Sequence, residues 1–164
     1  MPPRPVPLAP LEQHEQHSGI MRTSYTVEQA NRTLPLVSRI VGDIVALYPR
    51  WRERVSEIEI RAGGATLDEP DPRTAELERE AQEIATEIDG CIREIRDLGI
   101  EYRLPLDAGL VDFPGEREGR RIFLCWRLGE RAVEHWHETD AGYAGRQPID
   151  ESAPGVATIH PERR

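Results

Sequence analysis

Residues 35–58, PLVSRIVGDIVALYPRWRERVSEI, are answered by residues 74–98, TAELEREAQEIATEIDGCIREIRDL. In the first run Val37, Val41, Ile44, Tyr48, Trp51, Val55 and Ile58 recur at spacings of four and three. In the second, Leu77, Ala81, Ile84, Ile88, Cys91, Ile95 and Leu98 do the same. That spacing gathers each set on one face of an α-helix and makes a coiled-coil-like seam. Gly63-Gly64 stops the first helix and ATLDEPDPR supplies turn chemistry. The two runs therefore predict a long antiparallel helical hairpin over 27–98, each helix about 35 to 40 Å long.

Working outward, Thr26 followed by Gln29 fits a capping box that opens a short helix, VEQANRTL. Pro35 is expected to interrupt it and begin the longer helix, and Pro49 to kink that helix. Thr74 is expected to cap the second helix, and Gly99 to end it. Ile40, Val45 and Leu47 widen the apolar stripe of the first helix, so it must cover more than one neighbour. The predicted neighbours are the C-terminal half and a second copy of the chain, giving a homodimer through the helical hairpin.

After Gly99 the texture changes to four short runs with strand character, IEYRL, GLVDF, RIFLCW and AVEHWH. Pro114-Gly115 and Glu118-Gly119 bound a loop between the second and third, and Leu128-Gly129 a tight turn between the third and fourth. The reading is a small antiparallel β-meander over 100–138 packed on the hairpin, followed by a glycine-rich loop at 139–148. The expected fold class is α+β, a single domain over 23–150. Residues 1–22, with five prolines and little apolar content, and residues 151–164 read as disordered tails. His14 and His17 fall in the first tail without an apolar helical face, and Met21 is an alternative start.

Composition narrows the function classes. The 164 residues are 38% hydrophobic and carry a net charge of −9. Nucleic acid and anionic membrane surfaces are disfavoured as partners. No apolar run is long enough for a membrane span, and the N-terminus lacks a secretory h-region, so the expected address is cytoplasmic. All 21 basic residues are arginine, which carries no functional weight. Cys91 and Cys125 lie inside regular elements without knuckle or disulfide spacing and read as small buried hydrophobes.

The candidate site lies between Arg121 and Pro148. A turn centred on Leu128-Gly129 pairs Trp126 with Arg131, Leu124 with Val133 and Ile122 with His135. One face then holds Ile122, Leu124, Trp126, Val133, His135 and His137; the other holds Phe123, Cys125, Ala132, Glu134 and Trp136. His135 and His137 form an H-x-H spacing from which two imidazoles reach one divalent ion such as zinc, iron or manganese. Asp140 or Glu138 offers an oxygen ligand, with Asp112 on the neighbouring strand as another source. Cys125 falls on the opposite face. Next comes Asp140-Ala-Gly-Tyr-Ala-Gly-Arg146, where Gly145 and its neighbours permit an anion-binding backbone nest, Arg146 can grip an anion and Tyr143 can stack on a ligand. A turn whose arginine pairs with a carboxylate explains the same residues. Trp126 and Trp136 read as core, and neither a nucleophile elbow nor a Cys–His dyad follows from this register.

The order YTVEQANRTLPLV, then LGIEYR, GLVDFPG, GRRIFLCWRLGE and VEHWHETDAGYAGRQPI, resembles a family of small bacterial proteins catalogued as a domain of unknown function. The resemblance spans about Tyr25 to Asp150 and rests on the run CW-x-x-GE…V-x-x-WH-x-x-D-x-G-x-x-GR. Tyr102-Arg103 departs from the small or aliphatic residue and lysine expected there. The resemblance implies no reaction, substrate or catalytic residue. Two readings follow from the residues themselves: a non-enzymatic binding or assembly module built on the hairpin, and a metal-binding protein or metal-dependent hydrolase.

Overall fold

The computed structural model describes residues 24–64 and 71–150. Both predicted tails, His14, His17, Met21 and most of the hairpin loop lie outside the described residues. Two helices, α1 (Val27–Gly64) and α2 (Pro72–Asp97), pack side by side and are followed by a five-stranded sheet. The strands are β1 (Glu101–Arg103), β2 (Leu110–Arg117), β3 (Arg120–Arg127), β4 (His135–Glu138) and β5 (Gln147–Pro148). Every pairing is antiparallel and the spatial order is the chain order. The fold is α+β.

The capping box at the start of α1 is formed: the Thr26 amide donates to Gln29 Oε1 at 2.9 Å, and the Gln29 amide to Thr26 Oγ1 at 3.1 Å. Pro35 and Pro49 do not divide the helix, which runs unbroken through both. An internal proline removes a hydrogen bond and costs about 3 kcal/mol. Against that stands a fully buried row around Pro35, with Val37, Val41 and Ile44 at 0% exposure. At about 2 kcal/mol for each large side chain, that row outweighs the proline. The cap of α2 is Asp71 rather than Thr74. Its carboxylate accepts from the Arg73 amide and from the Thr74 hydroxyl, and Pro72 takes the first helical turn, where no amide is required. At the far end the Gly99 and Ile100 amides return to the carbonyls of Arg96 and Ile95, closing α2 in a Schellman arrangement.

One sheet face carries Val111, Phe113, Ile122, Leu124, Trp126 and Trp136 into the core shared with the helices. This core sits at the end of the hairpin where α1 begins and α2 finishes. The Tyr25 amide donates to the Pro114 carbonyl at 2.7 Å, its ring meets Phe113 edge to face, and its hydroxyl donates to the Leu98 carbonyl. Gly109 lies where the sheet touches α1; a Cβ there would stand 2.9 Å from Leu128 Cβ, and its φ of +62° favours glycine. A smaller cluster of Ile58, Leu77 and Ala81, with Trp51 and Val55 beside it, holds the rest of the hairpin together.

Apart from the β3–β4 register, the sheet departs from expectation in two places. Strand β2 continues through Pro114 and Gly115, and the reversal is confined to Glu118-Gly119, both at positive φ. Pro114 lies past the end of the β1 pairing, so the ladder needs no amide from it, and its carbonyl accepts from the Tyr25 amide. The second departure is β5, a short strand inside the segment read as loop, pairing Gln147 and Pro148 with Trp136 and His135.

Candidate metal centre

The register of β3 on β4 decides what the outer sheet face can do. Cys125 stands opposite His135, Leu124 opposite Trp136, Phe123 opposite His137 and Ile122 opposite Glu138. The expected pairing of Ile122 with His135 is thus displaced by three residues, and an odd displacement exchanges the two faces. The cause is the connection between the strands, which occupies residues 128–134 instead of two. Glu130 organises it: its carboxylate accepts from the Arg127 amide at 2.8 Å and its carbonyl from the Trp126 indole at 3.0 Å. Val133 is buried from within this loop, its amide donating to Asn31 Oδ1 at 2.7 Å.

With the faces exchanged, Trp136 joins the core and Cys125 moves to the same face as His135 and His137. The reading that set Cys125 apart from the histidines is corrected. On β2, the Glu118-Gly119 turn pairs Asp112 with Cys125. Asp112, Cys125 and His137 therefore converge, each with one ligand atom within 4.8 Å of the other two. All three are buried, the side chains of Asp112 and His137 being 3% and 1% exposed.

The hydrogen bonds fix how these groups point. His137 Nδ1–H donates to the Glu138 carbonyl at 2.7 Å, which directs Nε2 to Asp112 Oδ1 at 3.1 Å. The other carboxylate oxygen, Oδ2, accepts from Arg103 Nε at 2.6 Å, and the Arg103 guanidinium also lies 4.8 Å from the centre of the Phe123 ring. Phe123 in turn contacts the His137 ring at 5.6 Å between centroids. Burial, and next the adjacent Asp112 carboxylate, push the Cys125 thiol up to about 12. As a thiol it is a poor nucleophile at neutral pH.

With Nδ1–H committed to a carbonyl, Nε2 faces Asp112 either with a lone pair or, in the imidazolium, with a second N–H. A lone pair and a carboxylate oxygen at 3.1 Å attract only if a cation sits between them, either a proton or a metal ion. Zinc bond lengths to nitrogen, oxygen and sulfur give a tetrahedral site ligand-to-ligand edges of about 3.4 to 3.6 Å. Nε2 and Oδ1, at 3.1 Å, stand a few tenths of an ångström inside such an edge, and a Cys125 ligand atom lies within 4.8 Å of both groups. A backbone carbonyl on the far nitrogen is also the partner that metal-ligating histidines ordinarily have.

The other sequence-derived candidates are distributed differently. His135 is on the right face, directly opposite Cys125, but outside the convergent three. Asp140 is exposed in the turn after β4 and does not join them. Arg146 grips a carboxylate within the chain: its Nη1 and Nη2 donate to Glu130 at 2.8 and 2.7 Å, and Nη2 reaches the Cys125 carbonyl at 3.3 Å. Tyr143 stacks on that guanidinium at 4.7 Å. Gly145 is packed so tightly that a Cβ would stand 2.5 Å from Ala141 Cβ. Burial works to raise the Glu130 carboxyl, but Arg146 and the Arg127 amide overcome it and hold it below the usual glutamate range. The sequence marks Arg103 only as a departure from the family pattern and not as a site residue; the β1–β2 register brings it to Asp112.

No helix among the described residues is long and apolar enough to cross a membrane. No curated protein and no solved structure matches the chain. Residues 23–149, nearly all of the described region, match the family described as "Uncharacterized conserved protein (DUF2203)", and the chain belongs to that family.

Proposed function

We propose that this protein is a metal-binding module in which Asp112, Cys125 and His137 hold one divalent transition-metal ion on the outer face of the sheet. The observation that carries this is the orientation of His137, whose Nδ1–H is committed to the Glu138 carbonyl so that Nε2 faces Asp112 Oδ1. A thiolate and a carboxylate together balance the charge of a divalent ion, which lowers the cost of burying it. Sulfur and imidazole in the donor set favour zinc or ferrous iron and disfavour manganese, magnesium and calcium. The near-complete burial of the three groups supports a binding role over hydrolysis, because a substrate has no approach to an ion placed there.

Metal content by plasma mass spectrometry, on tag-free protein prepared without chelator, tests this. The expected result is close to one zinc or iron per chain, lost in Cys125→Ser and His137→Ala while circular dichroism stays native. Zinc at a hundredfold excess over its dissociation constant should stabilise the fold by about 2.7 kcal/mol. For a chain of this size that is a rise in Tm of roughly 5 to 10 °C. No metal after reconstitution, with no shift in Tm, overturns the reading and leaves a hydrogen-bonded cluster.

An assembly role rests on a different observation. Beyond the sheet, the hairpin's core among the described residues is the Ile58, Leu77 and Ala81 cluster, and Tyr48, Trp51 and Val55 remain half-buried on α1. This favours the second copy, or a partner, that the broad stripe of α1 led us to expect.

A further inference from the structure

His135 is the residue of the H-x-H pair that the three-residue cluster leaves out. It stands directly across from Cys125, in the same row that runs on to Asp112, so all three start from neighbouring positions on one face. Opposed residues of an antiparallel pair have Cβ atoms about 4.5 to 5.5 Å apart. His135 Nδ1 is buried and has no hydrogen-bond partner.

That nitrogen requires an explanation. An unsatisfied buried polar atom costs about 1 to 3 kcal/mol, and native folds keep few of them outside functional sites. Acceptors beside it are already in use. The Glu130 carboxylate is taken by Arg146 and the Arg127 amide, and the Cys125 carbonyl by Arg146. Asp112 is shared between Arg103 and His137. Arg146 Nε is likewise buried without a partner, and a metal ion beside Cys125 would satisfy His135 Nδ1.

We propose that His135 is the fourth protein ligand of the ion held by Asp112, Cys125 and His137, reaching it by a turn of its ring. This rests on the three-residue site proposed above. The resulting set is one sulfur, two imidazole nitrogens and one carboxylate oxygen, four protein ligands in all. Four protein ligands close a tetrahedral sphere, and a closed sphere is the mark of a structural ion; a catalytic one keeps a position open for water or substrate. The ion then ties β2, β3 and β4 together across three strands. It is a cross-link of the outer face, and an exogenous ligand finds no position on it.

Cobalt(II) titration reads both coordination number and openness, because its visible bands strengthen in four-coordinate sites and shift when an outside ligand binds. The wild-type chain, His135→Ala and His135→Gln are titrated with cobalt(II), and azide is then added to each. The expected result is intense bands in the wild type that azide leaves unchanged. Both variants should bind cobalt more than about 100-fold more weakly, beyond the 10- to 100-fold typical of losing an outer-shell partner. Azide should now shift their spectra. If the variants bind as tightly as wild type with the same spectrum, or if azide shifts the wild-type bands, His135 is not a ligand and the three-residue site stands alone. If the wild-type chain takes up no cobalt or zinc, the site and its fourth ligand both fall. The azide arm on the wild type keeps the proposal open to refutation even where a variant does not fold.

Discussion

Asp112 is a single carboxylate facing two cationic or proton-bearing neighbours from opposite sides. Oδ2 takes the Arg103 guanidinium and Oδ1 takes the His137 ring. Removing one member of a buried charged group leaves the others without compensation, which costs about 3 to 5 kcal/mol when all are fully buried. Arg103 is 39% exposed and recovers water, so the cost here is smaller. Asp112→Asn is expected to lower unfolding free energy by about 2 kcal/mol, since the amide offers one acceptor where two are needed. Arg103→Gln should cost less than half of that. Urea unfolding in the presence of chelator measures both. Equal losses for the two variants would mean that His137 contributes nothing to holding Asp112.

At the scale of elements, the connection from Leu128 to Glu134 is the segment on which the outer face depends, and Glu130 with Arg146 is its fastening. The Glu130 carboxyl titrates below its ordinary range in the folded chain, the pull of Arg146 and the Arg127 amide exceeding the opposing effect of burial. Its contribution to stability is therefore present above the unfolded glutamate value of about 4.3 and is lost as pH falls through the lower folded value. Glu130→Gln should remove that part of the acid dependence: wild type and variant should converge in stability at low pH and separate toward neutrality, by thermal melts across pH 2.5 to 7. Parallel curves would place the clamp's contribution outside the Glu130 charge. The same connection marks where the sequence ceased to be legible. Helical spacing gave both helices and the Thr26 and Gln29 pair gave the first cap, whereas the pairing of Asp112 with Cys125 came only with the β2–β3 register. What misled was Leu128-Gly129, which has the composition of a two-residue turn. The loop takes its shape from partners far along the chain, Asn31 for the Val133 amide and Arg146 for Glu130. No local pattern reveals such partners, and one misread turn reassigned every side chain on β4. The interruption expected at Pro35 failed for a similar reason, because burial against distant residues overrode a local preference.

Across the whole molecule the two cores are unequal. The large one joins the sheet to the first half of α1 and the second half of α2, and the small one lies toward the hairpin loop, linked to it through Trp51. Hydrogen exchange in the native state should report this division. Amides at 55–60 and 77–81 are expected to show protection at least about tenfold below those at 37–44, because local opening there exposes few apolar contacts. Equal protection that falls on dilution would instead mark a second copy lying along the arm. The order of the strands sets a further limit on how copies can meet. With chain order equal to spatial order, the sheet ends on β1 and β5, which are three and two residues long, and β5 includes Pro148. Edges this short, one of them lacking an amide, offer no ladder for another strand to extend. Among the described residues, the two strands that close the sheet are too short to template the edge-to-edge growth that leads to fibres.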